Sequence, residues 1–266
     1  MPIEQVVIRG GDTQLVGYGM GTIASRVAAV AGPAIFRAAH ETARKARIVA
    51  AGLFECAPDD VVLDKGRVMV AWMPSKSVPL AAIAKAAVRN RALADAGGPG
   101  LNACVFHYPG TVAWAFGVHA VALEVDVETG ALGLLKYVAS HDCGRPINPM
   151  IVEGQIHGGV AQGIGTALGE ELLYDDAGQL LTGTFMDYPI PRAADMPPLE
   201  IHHLDFPSPI NELGIKGVGE SGVVSPAAAI GNAVEDALWE RGVRVTRVPL
   251  TSARIFELLR AGAAAQ

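Results

Sequence analysis

Hydrophobic positions along the chain change period several times, and each change marks an element. Residues 4–12, EQVVIRGGD, read as a strand that ends in glycines. A glycine-rich loop, YGMGTIASR, follows. From about Arg26 to Glu55 the alanine-rich pattern is helical, with a break or restart expected at Gly32–Pro33. Residues 61–71, VVLDKGRVMVA, read as a hairpin turning at Asp64-Lys65-Gly66. Residues 79–98 read as one helix ending at Gly97. A second hairpin is expected over residues 120–142, where alternation holds on both sides of a turn at Glu128-Thr129-Gly130. Residues 153–172 predict a glycine-studded helix, EGQIHGGVAQGIGTALGEEL. Each glycine weakens an isolated helix, so their number points to close packing against a backbone or a cofactor. PLEIHHLDF is a further strand. Ser225-Pro226 opens a last helix, with the serine side chain as expected cap, running to Glu240 and ending near Gly242.

Strands and helices mix in an α+β manner over one long domain, or over two subdomains of about 1–100 and 101–266. The 266 residues are 50% hydrophobic and 18% charged, which excludes a disordered chain. A mean hydropathy of +0.31 suggests apolar surface covered by partners. The net charge of -6, without a lysine and arginine cluster, points away from nucleic acid. No uninterrupted apolar run spans a bilayer, and no charged leader precedes an apolar stretch, so a cytoplasmic protein is expected. Cys56, Cys104 and Cys143 are odd in number and scattered, matching neither a disulfide framework nor an iron–sulfur spacing.

Three stretches carry candidate chemistry. Gly19-Met20-Gly21-Thr22-Ile23-Ala24 fits G-x-G-x-x-A, but no second strand with an acidic end follows at the distance a dinucleotide fold requires. What remains is a small-residue loop ahead of a helix, with Thr22, Ser25 and Arg26, suited either to an anionic ligand or to an ordinary helix cap. His141-Asp142-Cys143-Gly144-Arg145-Pro146 crowds the end of a strand. Adjacent strand residues face opposite ways, so these three make no triad, and His202-His203 make no metal pair. The third stretch, GIKGVGESGVV, sets the lone acid Glu220 among glycines just ahead of a helix. Such a carboxylate either interacts with solvent and the helix dipole or faces a ligand that the bare backbone admits.

Taken in order, GDTQLVGYGMGTIASR, HDCGRPINPMIVEGQIHGGVAQGIG and PSPINELGIKGVGESGVVSPAAAIGNAVEDAL resemble the C-terminal part of the molybdenum-binding large subunit of the xanthine dehydrogenase/aldehyde oxidase family. The likeness is nearest to the bacterial three-subunit branch typified by carbon monoxide dehydrogenase, and it runs from about residue 3 to about residue 258. It implies the second half of a molybdopterin-binding domain, with mixed sheets and long helices. It implies a molybdenum hydroxylase that oxidises an aldehyde, an N-heteroaromatic or a similar small substrate with water-derived oxygen, and Glu220 as its general base. The cofactor implied is molybdopterin with molybdenum, in the cytosine dinucleotide form. Its expected contacts are Gly21, Thr22, Ser25 and Arg26 from the first loop, Cys143, Asn148 and Gln155 from the second, and Lys216, Gly217, Val218 and Gly219 from the third. Lys216 is expected to act through its charge. None of these residues is a direct metal ligand. The resemblance also implies a chain supplying the N-terminal half of the large subunit, with iron–sulfur clusters and FAD carried in separate subunits. The alternative is a structural or interaction module without turnover.

Overall fold

The computed structural model describes residues 1–264, which fall into two compact units. Among these, one unit comprises residues 1–21 and 30–109, and the other residues 22–29 and 110–264.

In the first unit the expected N-terminal strand is absent. Ile3–Gln5 is a single 3-10 turn, and residues 6–10 after it are exposed and join no strand ladder. Val7 and Ile8, 79% and 87% exposed, have the composition of a strand but no neighbouring strand to complete the ladder. Helix α1, Val27–Phe54, runs unbroken through Pro33. A single proline removes one N–H donor, and a helix of 28 residues tolerates that loss. Strands β1 (Val61–Asp64) and β2 (Arg67–Val70) form the expected hairpin, with Lys65 and Gly66 at positive φ. Strand β3, Met73–Pro79, adds antiparallel to β2 and was not legible, because its residues MPSKSVP do not alternate. The helix expected over residues 79–98 is two elements. Helix α2 covers Leu80–Ala87, and a 3-10 segment covers Arg91–Ala96. Asn90 makes the division, since its side chain accepts the Ala92 N–H at 2.9 Å and starts a new turn. The core of this unit joins Val49, Ala50 and Phe54 of α1 to Val61, Val68, Val70, Ile83 and Leu93. Lys45 is buried there, with Nζ donating to the carbonyls of Gly97 at 3.0 Å and Asn102 at 2.7 Å.

The second unit is built on β4 (Phe116–Val125), β5 (Leu132–Asp142) and β6 (Leu199–Leu204), in the order β4-β5-β6. The β4–β5 hairpin is antiparallel, as its alternation requires. Strand β6 runs parallel to β5, so the chain must cross over between them, and helix α3, Pro149–Leu168, lies in that crossover. Tyr137 and Ala139 of β5 share a core with Ile156, Val160 and Ile164 of α3. Helix α5, Pro226–Ala237, adds Ile230 and Val234, and helix α6, Ser252–Ala264, adds Ile255 and Leu259. Burying each of the larger side chains contributes about 1.5–3 kcal/mol. Ser225 precedes α5 without a side-chain cap, because the short helix α4, Ser221–Val224, already leads into it and leaves Ser225 in the helical region. No helix of the described residues is long and apolar enough to cross a membrane.

Candidate functional site

The site begins with the loop that joins β6 to α4. Its base is fixed by two side chains. Asn211, buried, accepts the Ile215 N–H at 3.1 Å and donates to the Ile215 carbonyl at 2.9 Å. Asp142, at the end of β5, accepts the N–H groups of Gly144 at 2.8 Å and Phe206 at 3.2 Å, and pairs with the Lys216 ammonium. Burial alone would push the Asp142 carboxyl up, but the bond from Lys216 and the two N–H donors outweigh it and hold it below the usual carboxylate range. Lys216 also lies over the Phe116 ring, 4.9 Å from its centroid. The charge expected to meet the cofactor therefore has its partners inside the protein.

Beyond Lys216 the loop meets the segment ahead of α1. Ser25 and Ala24 both sit at positive φ, 54° and 49°. This strained turn presents the Ser25 hydroxyl to Glu220. The hydroxyl donates to Glu220 Oε2 at 2.8 Å and accepts the Glu220 backbone N–H at 2.8 Å. A Cβ on Gly217 would strike the Ser25 carbonyl oxygen, and one on Gly219 would lie 3.2 Å from Ser25 Oγ. The bare backbone of the loop thus admits Ser25, a partner 195 residues away in the chain.

Helix α3 supplies the floor. Gly159 and Gly222 bring α3 and α4 together main chain to main chain: a Cβ on Gly159 would come within 2.8 Å of the Gly222 Cα. Gly154 and Gly158 instead face open space. Between these elements lies a cavity of about 300 Å³. Gly154, Gly158 and Gly159 form its floor with the side chains of Gln155 and Gln162, and Gly219, Glu220 and Val223 form its wall. Glu220 is exposed at its edge. The chemistry of this lining is main chain, two neutral amides, one carboxylate and the apolar Val223, and main-chain walls admit a bulky, hydrogen-bonding group closely.

The sequence-expected residues divide accordingly. Gln155, Gly219 and Glu220 line one cavity, with Ser25 and Gly217 directly behind them. Val218 packs partly on the hydrophobic core. Cys143 is in that core, 5% exposed, and burial, followed by the charge of Asp142, pushes its thiol up. It does not line the cavity. Asn148 caps α3, its side chain accepting the Ile151 N–H at 3.3 Å. Thr22 is exposed and the Arg26 backbone N–H closes a turn onto Ile23 at 3.2 Å. Gly21 adopts φ 71° in the first unit. Gln162 was missed, and Gly154 and Gly158 were expected only as glycines packed against a backbone or a cofactor, although the spacing of the three at i, i+4 and i+8 on one helix was a readable signal.

Comparison with known proteins shows the family. The sequence model of the molybdopterin cofactor-binding domain matches residues 1–197. The chain belongs to that family. This domain is 40% identical over 256 residues to the nicotine 6-hydroxylase large subunit of Paenarthrobacter nicotinovorans, an alignment covering 96% of this chain and 31% of that protein. It is 38% identical over 261 residues to the carbon monoxide dehydrogenase large chain of Hydrogenophaga pseudoflava, covering 98% and 32%. Among solved structures, quinoline 2-oxidoreductase from Pseudomonas putida 86 matches with a TM-score of 0.79 and 44% identity, over 91% of this chain and 31% of that one. A Cu,Mo-CO dehydrogenase matches with a TM-score of 0.81 and 34% identity, over 92% and 31%. The molybdopterin-binding domain thus spans about a third of the length of these relatives. The likenesses bear out the α+β fold and the resemblance to molybdenum-binding large subunits of the carbon monoxide dehydrogenase type.

Proposed function

We propose that this chain is the cofactor-binding part of a molybdenum hydroxylase that oxidises an aldehyde, an N-heteroaromatic or a similar small molecule with oxygen from water, and that Glu220 is its general base. The observation that carries this reading is one carboxylate at the edge of a cavity whose floor is main chain and two amides. The lining fits a bulky pterin cofactor: Gln155 and Gln162 offer donors and acceptors, and Gly154 and Gly158 leave the floor bare. The cofactor, in its cytosine dinucleotide form, supplies the redox chemistry of molybdenum when bound.

The protein's own groups do the rest. Glu220 Oε2 is held by Ser25, which leaves Oε1 to accept the proton. The Lys216–Asp142 pair and the Asn211 amide hold the loop, so that the carboxylate meets the cavity from a fixed direction. Chains supplying the remainder of the large subunit, iron–sulfur clusters and FAD complete the assembly in this reading. Their docking would cover exposed apolar side chains such as Phe106, Tyr108, Phe185 and Met186, each at least 86% exposed.

The test uses the complex purified natively with this chain. Glu220→Gln is expected to lower turnover by about 10²–10⁴-fold while molybdenum and released cytosine nucleotide stay at the unmodified level. Normal turnover in that variant overturns the general-base role. A native complex without molybdenum overturns the cofactor role and leaves a module without turnover.

A further inference from the structure

We infer that Ser25 is a positioning residue for Glu220 rather than a contact for the cofactor. This rests on the proposed role of Glu220 and deepens it. A serine hydroxyl has a single proton to donate. Here that proton goes to Glu220 Oε2, and a lone pair of the same oxygen receives the Glu220 N–H, both at 2.8 Å. The hydroxyl therefore holds the carboxylate and the main chain of one residue together, and it has no proton left for a pterin.

Three further features converge on this contact. Ala24 and Ser25 stand consecutively at positive φ, a region that non-glycine residues adopt only at a cost. That strain turns the hydroxyl toward the loop. Gly217 leaves room for the Ser25 carbonyl, and Gly219 leaves room for its Cβ and Oγ. The far end of the same loop is independently fixed by Asn211 and by the Lys216–Asp142 pair. Without Ser25 the carboxylate would be anchored only by its own rotamer on a glycine-rich backbone, with no described side chain to set its direction. With Ser25, Oε2 is fixed and Oε1 faces the proton it is to take.

Ser25→Ala and Ser25→Gly in the native complex test this. Both remove the hydroxyl, and the glycine variant tolerates the positive φ if the alanine variant does not fold. The expected result for each is molybdenum and cytosine nucleotide at the unmodified level, KM unchanged, and kcat lower by about 10–100-fold. Hydrogen exchange at the Glu220 amide is expected to accelerate. Loss of molybdenum or nucleotide in proportion to activity would make Ser25 a cofactor contact and overturn the inference. An unchanged kcat would overturn it as well. Glu220→Gln, assayed beside these variants, separates the two readings. If it is active, the base role fails whatever Ser25 does. If it is inactive while both Ser25 variants behave as unmodified protein, only the positioning role fails.

Discussion

Lys216 and Asp142 meet where neither has much access to water, with side-chain exposures of 10% and 0%. Removing one partner of such a pair leaves a buried charge, at a cost of about 3–5 kcal/mol. Lys216→Met is therefore expected to lower the unfolding free energy of the second unit by that amount, and equilibrium unfolding in urea checks it. The double change Lys216→Met with Asp142→Asn is expected to recover most of the loss; failure to recover would mean that lysine packing on Phe116, rather than the charge, is what matters. This pair also marks the limit of reading residues in sequence. A lysine directly before a glycine loop looks available for an anionic cofactor. Its partner lies 74 positions away, and nothing local reveals it. A separation of 195 positions hid the bond between Ser25 and Glu220, and burial hid the placement of Cys143 in the core. Glu220 itself was legible, because an acid among glycines is uncommon enough to attract attention without a partner.

Helix α3 behaves differently along its two sides. Toward α4 its glycines are filled by neighbouring main chain, and toward the cavity they are bare. Gly222→Ala would drive a methyl group into the Ile156 carbonyl, and an overpacked contact of this kind costs about 1–3 kcal/mol. Loss of stability together with molybdenum is expected. Gly158→Ala meets nothing within 4 Å. It is expected to raise stability by up to about 1 kcal/mol through helix propensity, yet to lower molybdenum occupancy, because the methyl group narrows the cavity. Thermal melting and metal analysis on both variants separate a packing role from a lining role; Gly158→Ala with full metal content would show that the floor is not a contact surface. Periodicity made α3, both hairpins and β6 readable. It failed at residues 4–12, where a strand-like composition has no partner strand, and at β3, where pairing rather than pattern makes the strand.

Each unit has its own core, and the second contains a polar chain within it. Tyr137 and His119 share a hydrogen bond at Nδ1 of 2.8 Å, and His119 Nε2 meets His141 Nε2 at 2.7 Å. Burial, with the neighbouring His141 adding to it, lowers His119 to about 4, and burial raises Tyr137. A folded histidine with that value stays neutral between pH 4 and its ordinary 6.5, whereas the unfolded chain takes up a proton there. The unfolded state then binds more protons, so stability falls as pH drops through this window. The loss is expected to be about 1–2 kcal/mol by pH 4, allowing for partial exposure of the ring. A melting series from pH 7 to pH 4 checks it, and His119→Gln is expected to flatten the slope. An unchanged slope in the variant would assign the acid sensitivity elsewhere.

The bare floor of the cavity has a consequence for engineering. A surface made of main chain and two amides offers almost no variable side chain with which to tell one substrate from another. Discrimination would have to be written in whatever faces this surface from outside the chain, while the chain itself would act as an interchangeable half of the catalyst. Grafting residues 110–264 into a relative is thus expected to leave the host with its own substrate preference, and a graft that carried a new preference with it would show that this side of the cavity has a vote.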